Sequence, residues 1–200
     1  MKFVLASKNP HKLTELQRIL DELGVEVVLE ADVGVDLDVE ETGQTFEENS
    51  LLKAKAVMEA TGLPTIADDS GLCVTALNGA PGVYSARYGG DDKGGYAHRY
   101  ELVLEALKGQ IDRSAKFVSV ITACFPGGDV LTARGECPGT IAYAPQGENG
   151  FGYDPVFFVP PMRKTFAQMT AEEKNSISHR GKALEKFKGE LEGYLRGLDQ

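Results

Sequence analysis

Four groups of side chains in this sequence have the types and spacing to do chemistry. The first is acidic: Glu40-Glu41, just ahead of a helix pattern, and Asp68-Asp69, at the end of a short apolar run. Magnesium is a hard ion that takes one or two protein carboxylates and fills its other positions with water and substrate phosphates, so two such sites meeting would suit it. Asp68 and Asp69 are hemmed by Ile66, Ala67 and Leu72. Adjacent carboxylates repel, and this pair calls for a cation or a general-base role. Asp32, Asp36 and Asp38 read instead as a solvated turn. The second group is Ser7-Lys8-Asn9-Pro10-His11-Lys12, between a strand and a helix. Backbone N–H groups, short polar side chains and lysines can converge there on an anion. The plainer alternative is Ser7 or Asn9 as a helix cap with lysines facing solvent.

The third group is Gly147-Glu148-Asn149-Gly150-Phe151-Gly152-Tyr153-Asp154-Pro155. Its glycines let backbone approach a ligand, and Phe151 and Tyr153 offer faces for a planar ring. A tight loop with core aromatics would look the same. The fourth is Lys174 with Ser176-Ile177-Ser178-His179-Arg180 at a helix start; alone, His179 reads equally as a capping or surface histidine. Other chemistries lack their signatures: the sequence has no G-x-x-x-x-G-K-[ST], G-x-G-x-x-G, G-x-S-x-G or H-E-x-x-H. Cys73, Cys124 and Cys137 include no CxxC pair and fit neither a disulfide framework nor a structural zinc site.

The elements that must position these groups follow from periodicity. Lys2 to Ala6 reads as a strand, and Leu13, Leu16, Leu20 and Leu23 recur at helical spacing until Gly24. Glu26 to Leu29 is a second strand. Thr45 with Glu48 is a capping-box signature opening a helix through Val57. Pro64 to Ala67 predicts a brief strand that ends on Asp68-Asp69, and Leu72 to Leu77 a further apolar run. Asn78 to Asp92 reads as irregular loop, and Tyr100, Val103 and Leu107 mark a third helix. Phe117 to Phe125 is the strongest strand, folded back by Pro126-Gly127-Gly128-Asp129 onto Val130 to Ala142. Pro155 to Val159 is a last short strand. Thr170 and Glu173 repeat the capping pattern, and Leu184, Phe187, Leu191 and Leu195 stripe the final helix. Alternating strands and helices with a late hairpin predict an α/β fold around a mixed sheet.

With 200 residues, the chain fits a single domain spanning 1–200. Its 21 Lys and Arg against 30 Asp and Glu give a net charge of −9, which opposes a nucleic-acid partner, since that grip needs massed positive charge. Lys8 and Asn9 arrive before an apolar segment could match a signal peptide, and no stretch approaches the ~18 apolar residues of a membrane span. The expectation is a cytoplasmic protein with no membrane partner.

In chain order, SKNPHK, EETGQTFEEN, ADDSGL, GAPGVYSARY, GFGYDP and EKNSISHRGKAL resemble the inosine triphosphate pyrophosphatase family, the dITP/XTP pyrophosphatases, from Leu5 to Leu184. The resemblance implies an elongated mixed β-sheet flanked by helices, with two lobes around a central substrate cleft, as a homodimer. It implies a Mg²⁺-dependent hydrolase that splits non-standard purine nucleoside triphosphates (ITP, dITP, XTP) into the monophosphate and pyrophosphate. By the same resemblance, the Ser7, Lys8, Asn9, Pro10, His11 and Lys12 loop holds phosphate, chiefly through Asn9 and Lys12. Glu41 and Asp69 hold magnesium, Asp69 is the catalytic acidic residue that works on the water, and Asp68 is its accomplice. Lys53 and Lys174 reach phosphates or nearby groups, while Ser70, Phe151, Gly152, Tyr153, Asp154, His179 and Arg180 shape the base pocket. Chemistry is consistent with that reading. Hypoxanthine and xanthine carry a carbonyl at position six, and a site built on donors can reject adenine by ~10⁴. Two rivals stand beside it: a pyrophosphatase for modified pyrimidine nucleotides, and a nucleotide-sensing module, against which Glu41 and Asp69 argue together.

Overall fold

The computed structural model describes residues 1–90 and 95–198, apart from the side chains of Pro10 and His11. In chain order the elements are β1 (Lys2–Leu5), α1 (Pro10–Leu20), β2 (Glu26–Leu29), α2 (Phe46–Thr61), β3 (Thr65–Val74), α3 (Gly95–Ala106), β4 (Ser114–Cys124), β5 (Val130–Ile141), β6 (Phe157–Val159), β7 (Lys164–Thr165), α4 (Ala171–Ile177) and α5 (His179–Leu198). The strands form one sheet in the order β2-β1-β3-β4-β5-β6-β7. β1 runs parallel to β2 and β3, which helical crossovers permit, while β6 is antiparallel to β5 and β7. This is the mixed sheet with flanking helices that the alternating pattern predicts.

By contacts the described chain divides into two compact units, the first built from Met1–Asp69, Ser119–Gly135 and Lys182–Gln200, the second from Ser70–Val118 and Glu136–Gly181. Each has its own core. In the first, Phe3, Leu5, Leu16, Leu20, Ile66, Ile121 and Phe125 pack with Phe187 and Leu191, the stripe of α5. In the second, Leu72, Val103, Leu107, Phe117, Phe157, Phe166 and Met169 are buried together. Burying each such side chain contributes about 1.5–3 kcal/mol against the entropy of ordering it.

Local chemistry sets the element ends that matter for the site. Thr45 Oγ1 accepts the Glu48 N–H (3.1 Å) and Glu48 Oε2 accepts the Thr45 N–H (3.2 Å), the reciprocal box that starts α2. Gly62, at φ +66°, takes the left-handed conformation that closes it.

The structure departs from the sequence expectation in four places. β3 does not stop at the acids; it runs unbroken from Thr65 to Val74, so Asp68 and Asp69 lie mid-strand. Alternation turns them to opposite faces, and each meets a lysine, which offsets the repulsion between them. The expected irregular loop after Asn78 contains a 3₁₀ turn at Gly82–Arg87, held by Ser85. β7 is a two-residue strand with no readable period. Finally, the cluster expected at one helix start is divided. Thr170 and Glu173 cap the short α4, and extended Ser178 then accepts the Gly181 N–H (3.1 Å) to open α5.

Candidate active site

In the first unit, β1 delivers the chain to Ser7, whose Oγ accepts the Asn9 N–H (3.1 Å) as α1 begins. Ser7 thus makes a local turn just ahead of α1, which begins at Pro10. Lys8 reaches the exposed Asp36 (2.5 Å), a surface pair of little energetic weight. Lys12, on the first turn of α1, donates to Asp68 Oδ1 (2.7 Å). Pro10 and His11, expected in the same loop, have side chains outside the described residues.

Beside it, α2 projects Lys53, whose Nζ lies 2.7 Å from Glu41 Oε1 and 3.4 Å from Asp69 Oδ1. Asp69 is 8% exposed, and its Oδ2 is buried without a hydrogen-bond partner. Burial pushes its carboxyl up to about 6; the Lys53 charge pulls the other way, and Glu41 adds to the rise. Burial also disfavours the Lys53 ammonium, but the Asp69 charge and the Glu41 hydrogen bond outweigh it and hold that pKa above its ordinary value. The unit therefore assembles two carboxylates, one with an unmatched buried oxygen, around a firmly charged lysine.

Those donors suit a hard cation bound with few protein ligands. No group of three or more His, Cys, Asp or Glu able to hold a metal occurs among the described residues. Glu41 and Asp69 match the one or two carboxylates that magnesium takes when water and phosphate fill the remaining positions.

In the second unit, Ser70, Phe151, Gly152, Tyr153, Asp154, Lys174, His179 and Arg180 line one pocket. All eight were expected to touch substrate. Asp154 organises the pocket: its buried Oδ2 accepts the Phe151 N–H (3.0 Å) and the Lys174 ammonium (2.6 Å). Burial raises its pKa, with Lys174 opposing. A Cβ at Gly150, already at φ +75°, would fall on that carboxylate oxygen, so only glycine lets the loop close this tightly. Lys174 Nζ sits 4.8 Å from the centre of the Phe151 ring. It therefore lies among the ring-pocket residues. Phe151 is 62% exposed, which leaves a ring face open for stacking. His179 stacks on Phe117 at 4.7 Å and 13°.

Tyr153 has a different part. Its hydroxyl is committed to the Ser85 carbonyl (2.7 Å), and Ser85 Oγ in turn accepts the Leu72 N–H (2.9 Å) and donates to the Gly82 carbonyl (2.7 Å). The pair ties the glycine-rich loop to β3 and to the turn at 82–87. Five further lining residues, Gly71, Ser85, Ala86, Tyr96 and Phe117, carried no functional signal in the sequence. Ser85 and Ala86 sat inside a motif without assigned roles, Phe117 read only as core, and Tyr96 lay in a stretch with no recognisable pattern. The Tyr96 ring lies edge-on to Tyr153 at 6.2 Å with the Arg99 guanidinium 4.8 Å from its centre.

The arrangement can thus do two things: hold phosphate and a hard cation in the first unit, and hold a planar ring in the second. A sequence model of the Ham1 family matches residues 3–190. A dITP/XTP pyrophosphatase of Exiguobacterium is 48% identical over 98% of this chain and all of that protein, and one of Haemophilus influenzae 49% over 95% and 98%. Among solved structures, the Ham1 protein of Staphylococcus aureus superposes with a TM-score of 0.92 at 44% identity, covering 97% of this chain and 100% of that one. A HAM1 protein of Coxiella burnetii gives 0.91 at 46% identity, with 96% and 98% covered.

Proposed function

This chain belongs to the Ham1 family, and on that premise we propose that it hydrolyses non-standard purine nucleoside triphosphates, ITP, dITP and XTP, to the monophosphate and pyrophosphate. Water attacks the α phosphorus, the bond to the bridging oxygen of the β phosphate breaks, and pyrophosphate leaves. The observation that carries the reading is Asp69: a buried carboxylate with a pKa near 6, an unmatched Oδ2, and Lys53 and Glu41 at its side. A base poised near neutral pH takes a proton from water without being permanently protonated.

Asp69 accepts that proton. A lysine ammonium has three donors, and Lys53 and Lys12 keep their carboxylate partners while turning their remaining N–H groups to neutralise phosphate oxygens. Asp68, bonded to Lys12 (2.7 Å), orients that lysine. Ser7, Lys8 and Asn9 present polar and charged groups to the phosphates, and the same loop continues into Pro10 and His11, whose side chains lie outside the described residues. The cofactor of this reading is Mg²⁺, which Glu41 and Asp69 would hold and which would supply charge neutralisation of the phosphates and a lowered pKa for water. In the ring pocket Phe151 stacks on the base, and donors from Lys174, His179 and Arg180 meet its six-carbonyl, so adenine is rejected through unmet hydrogen bonds. The protein acts as a homodimer in the cytoplasm. No helix among the described residues is long and apolar enough to cross a membrane.

Hydrolysis of ITP in ¹⁸O-water tests the point of attack. The label should appear in the inosine monophosphate. Label in pyrophosphate would place attack at the β phosphorus and overturn the assignment.

A further inference from the structure

We propose that Asn49 is a positioning residue for Glu41, clamping the loop that carries this carboxylate onto α2; the inference rests on the reading of Glu41 as a magnesium ligand. Glu41 lies on the segment between Glu40 and Thr45, which has no strand or helix of its own. Such a segment holds a ligand in place only if something outside it fixes the backbone.

Helix α2 does so with three side chains. Glu48 Oε2 accepts the N–H groups of Gln44 (2.6 Å) and Thr45 (3.2 Å), and Asn49 Oδ1 accepts the N–H of Gly43 (2.8 Å). Lys53 takes the Glu41 carboxylate itself (2.7 Å). Asn49 and Lys53 are four residues apart, on one face of the helix at successive turns. The loop is therefore gripped on both sides of Thr42: through its backbone at Gly43 and through its side chain at Glu41.

Three features mark Asn49 as selected for this. It is fully buried, where a polar side chain costs free energy unless it is bonded. Its Nδ2 is buried without a partner, so the oxygen alone accounts for the amide being there. Aspartate would offer the same oxygen but bury another carboxylate beside the loop that carries Glu41. Gly43 is fitted to the contact as well: a Cβ there would lie 2.6 Å from Asn49 Oδ1 and 2.7 Å from the Glu48 Cβ. Close approach of loop to helix needs both residues.

The test is a titration of the full-length protein with Mn²⁺ alone, followed by the EPR signal of the free ion, and repeated as the Mg²⁺ dependence of pyrophosphate release. Outer-shell partners of metal ligands are worth about 10–100-fold in affinity. Asn49→Ala should weaken Mn²⁺ by about that factor, with the ratio of ITP to GTP use unchanged. Gly43→Ala perturbs the same contact from the loop and should do the same even if the buried Asn49 variant folds poorly. Thr45→Ala removes the helix cap alone and should leave metal affinity as it was. Wild-type Mn²⁺ affinity in both Asn49→Ala and Gly43→Ala, with Glu41→Gln weakened, overturns the clamp and leaves the reading of Glu41 intact. Unchanged affinity in Glu41→Gln removes the ligand, and the clamp falls with it.

Discussion

Asp68 and Asp69 are adjacent in sequence yet turn to opposite faces of β3, where Asp68 meets Lys12 at 2.7 Å and Asp69 meets Lys53 at 3.4 Å. A period of two turns the two carboxylates apart and gives them different surroundings, while the Asp68 charge still adds to the raised pKa of Asp69. Asp68 has a close ion pair. Asp69 is the more buried, has the longer contact to its lysine and keeps one oxygen unmatched.

That difference has a cost in stability. The folded-state pKa of Asp69, about 6, lies above its unfolded value, so the folded protein binds the proton more tightly. Stability from this group is fully present below about pH 4 and is lost as pH rises through 6. The penalty above pH 6 is about 3 kcal/mol. Asp69→Asn in metal-free buffer should therefore raise Tm at pH 8 by roughly 5–10 °C and gain nothing at pH 4, while turnover is abolished. Thermal melts across that range decide it; a gain independent of pH would dissociate the stability effect from this carboxylate.

Lys53 lowers the Asp69 pKa and binds Glu41. Lys53→Met removes that attraction, so the Asp69 pKa rises further and the acidic limb of the kcat/KM profile should move to higher pH. Triphosphate use should fall by about 10²-fold or more, in line with loss of a phosphate-directed charge, with little change in base preference. A shift of the limb toward acid, or an altered ITP-to-ATP ratio, would misplace Lys53.

Asp154→Asn tests the second unit independently. Asparagine can still accept the Phe151 N–H but leaves Lys174 without its buried counter-charge. Discrimination between ITP and ATP should drop by about 10-fold or more, with the Mg²⁺ concentration for half-maximal rate unchanged. Changed metal dependence with intact base choice would contradict the division of labour proposed for the two units.

Tyr96 packs against Gly152 and lies edge-on to Tyr153. Tyr96→Ala removes that wall and should raise KM for ITP by about 10-fold with kcat nearly unchanged, whereas Tyr96→Phe, which keeps the ring, should behave as wild type. Equal losses in kcat for both variants would refute packing as the role of this ring.

Much of this was legible in the residues. Capping boxes at Thr45 and Thr170, the Val130 to Ile141 partner of β4, and the parallel opening strands follow from local patterns that tertiary contacts reinforce. Acidic and lysine clusters were readable because their types imply chemistry wherever they fold. Other features were hidden for identifiable reasons. Asp68-Asp69 imitates a strand terminator, and only the lysines on either face, 56 and 16 residues away in sequence, make it an interior segment. Asn49 looks like one more polar helix residue until Gly43 is brought against it. Tyr96 gains meaning only from Gly152 and Tyr153, contacts that no local spacing encodes.

The central claim is tested most directly by measuring pyrophosphate release from ITP, dITP, XTP, GTP, ATP and dTTP, with Mg²⁺ and with chelator, for the wild type and Asp69→Asn. The account predicts pyrophosphate from the inosine and xanthine nucleotides alone, dependent on Mg²⁺ and absent in the variant. Orthophosphate as first product, activity centred on dTTP, or an Asp69→Asn enzyme that still turns over would contradict it.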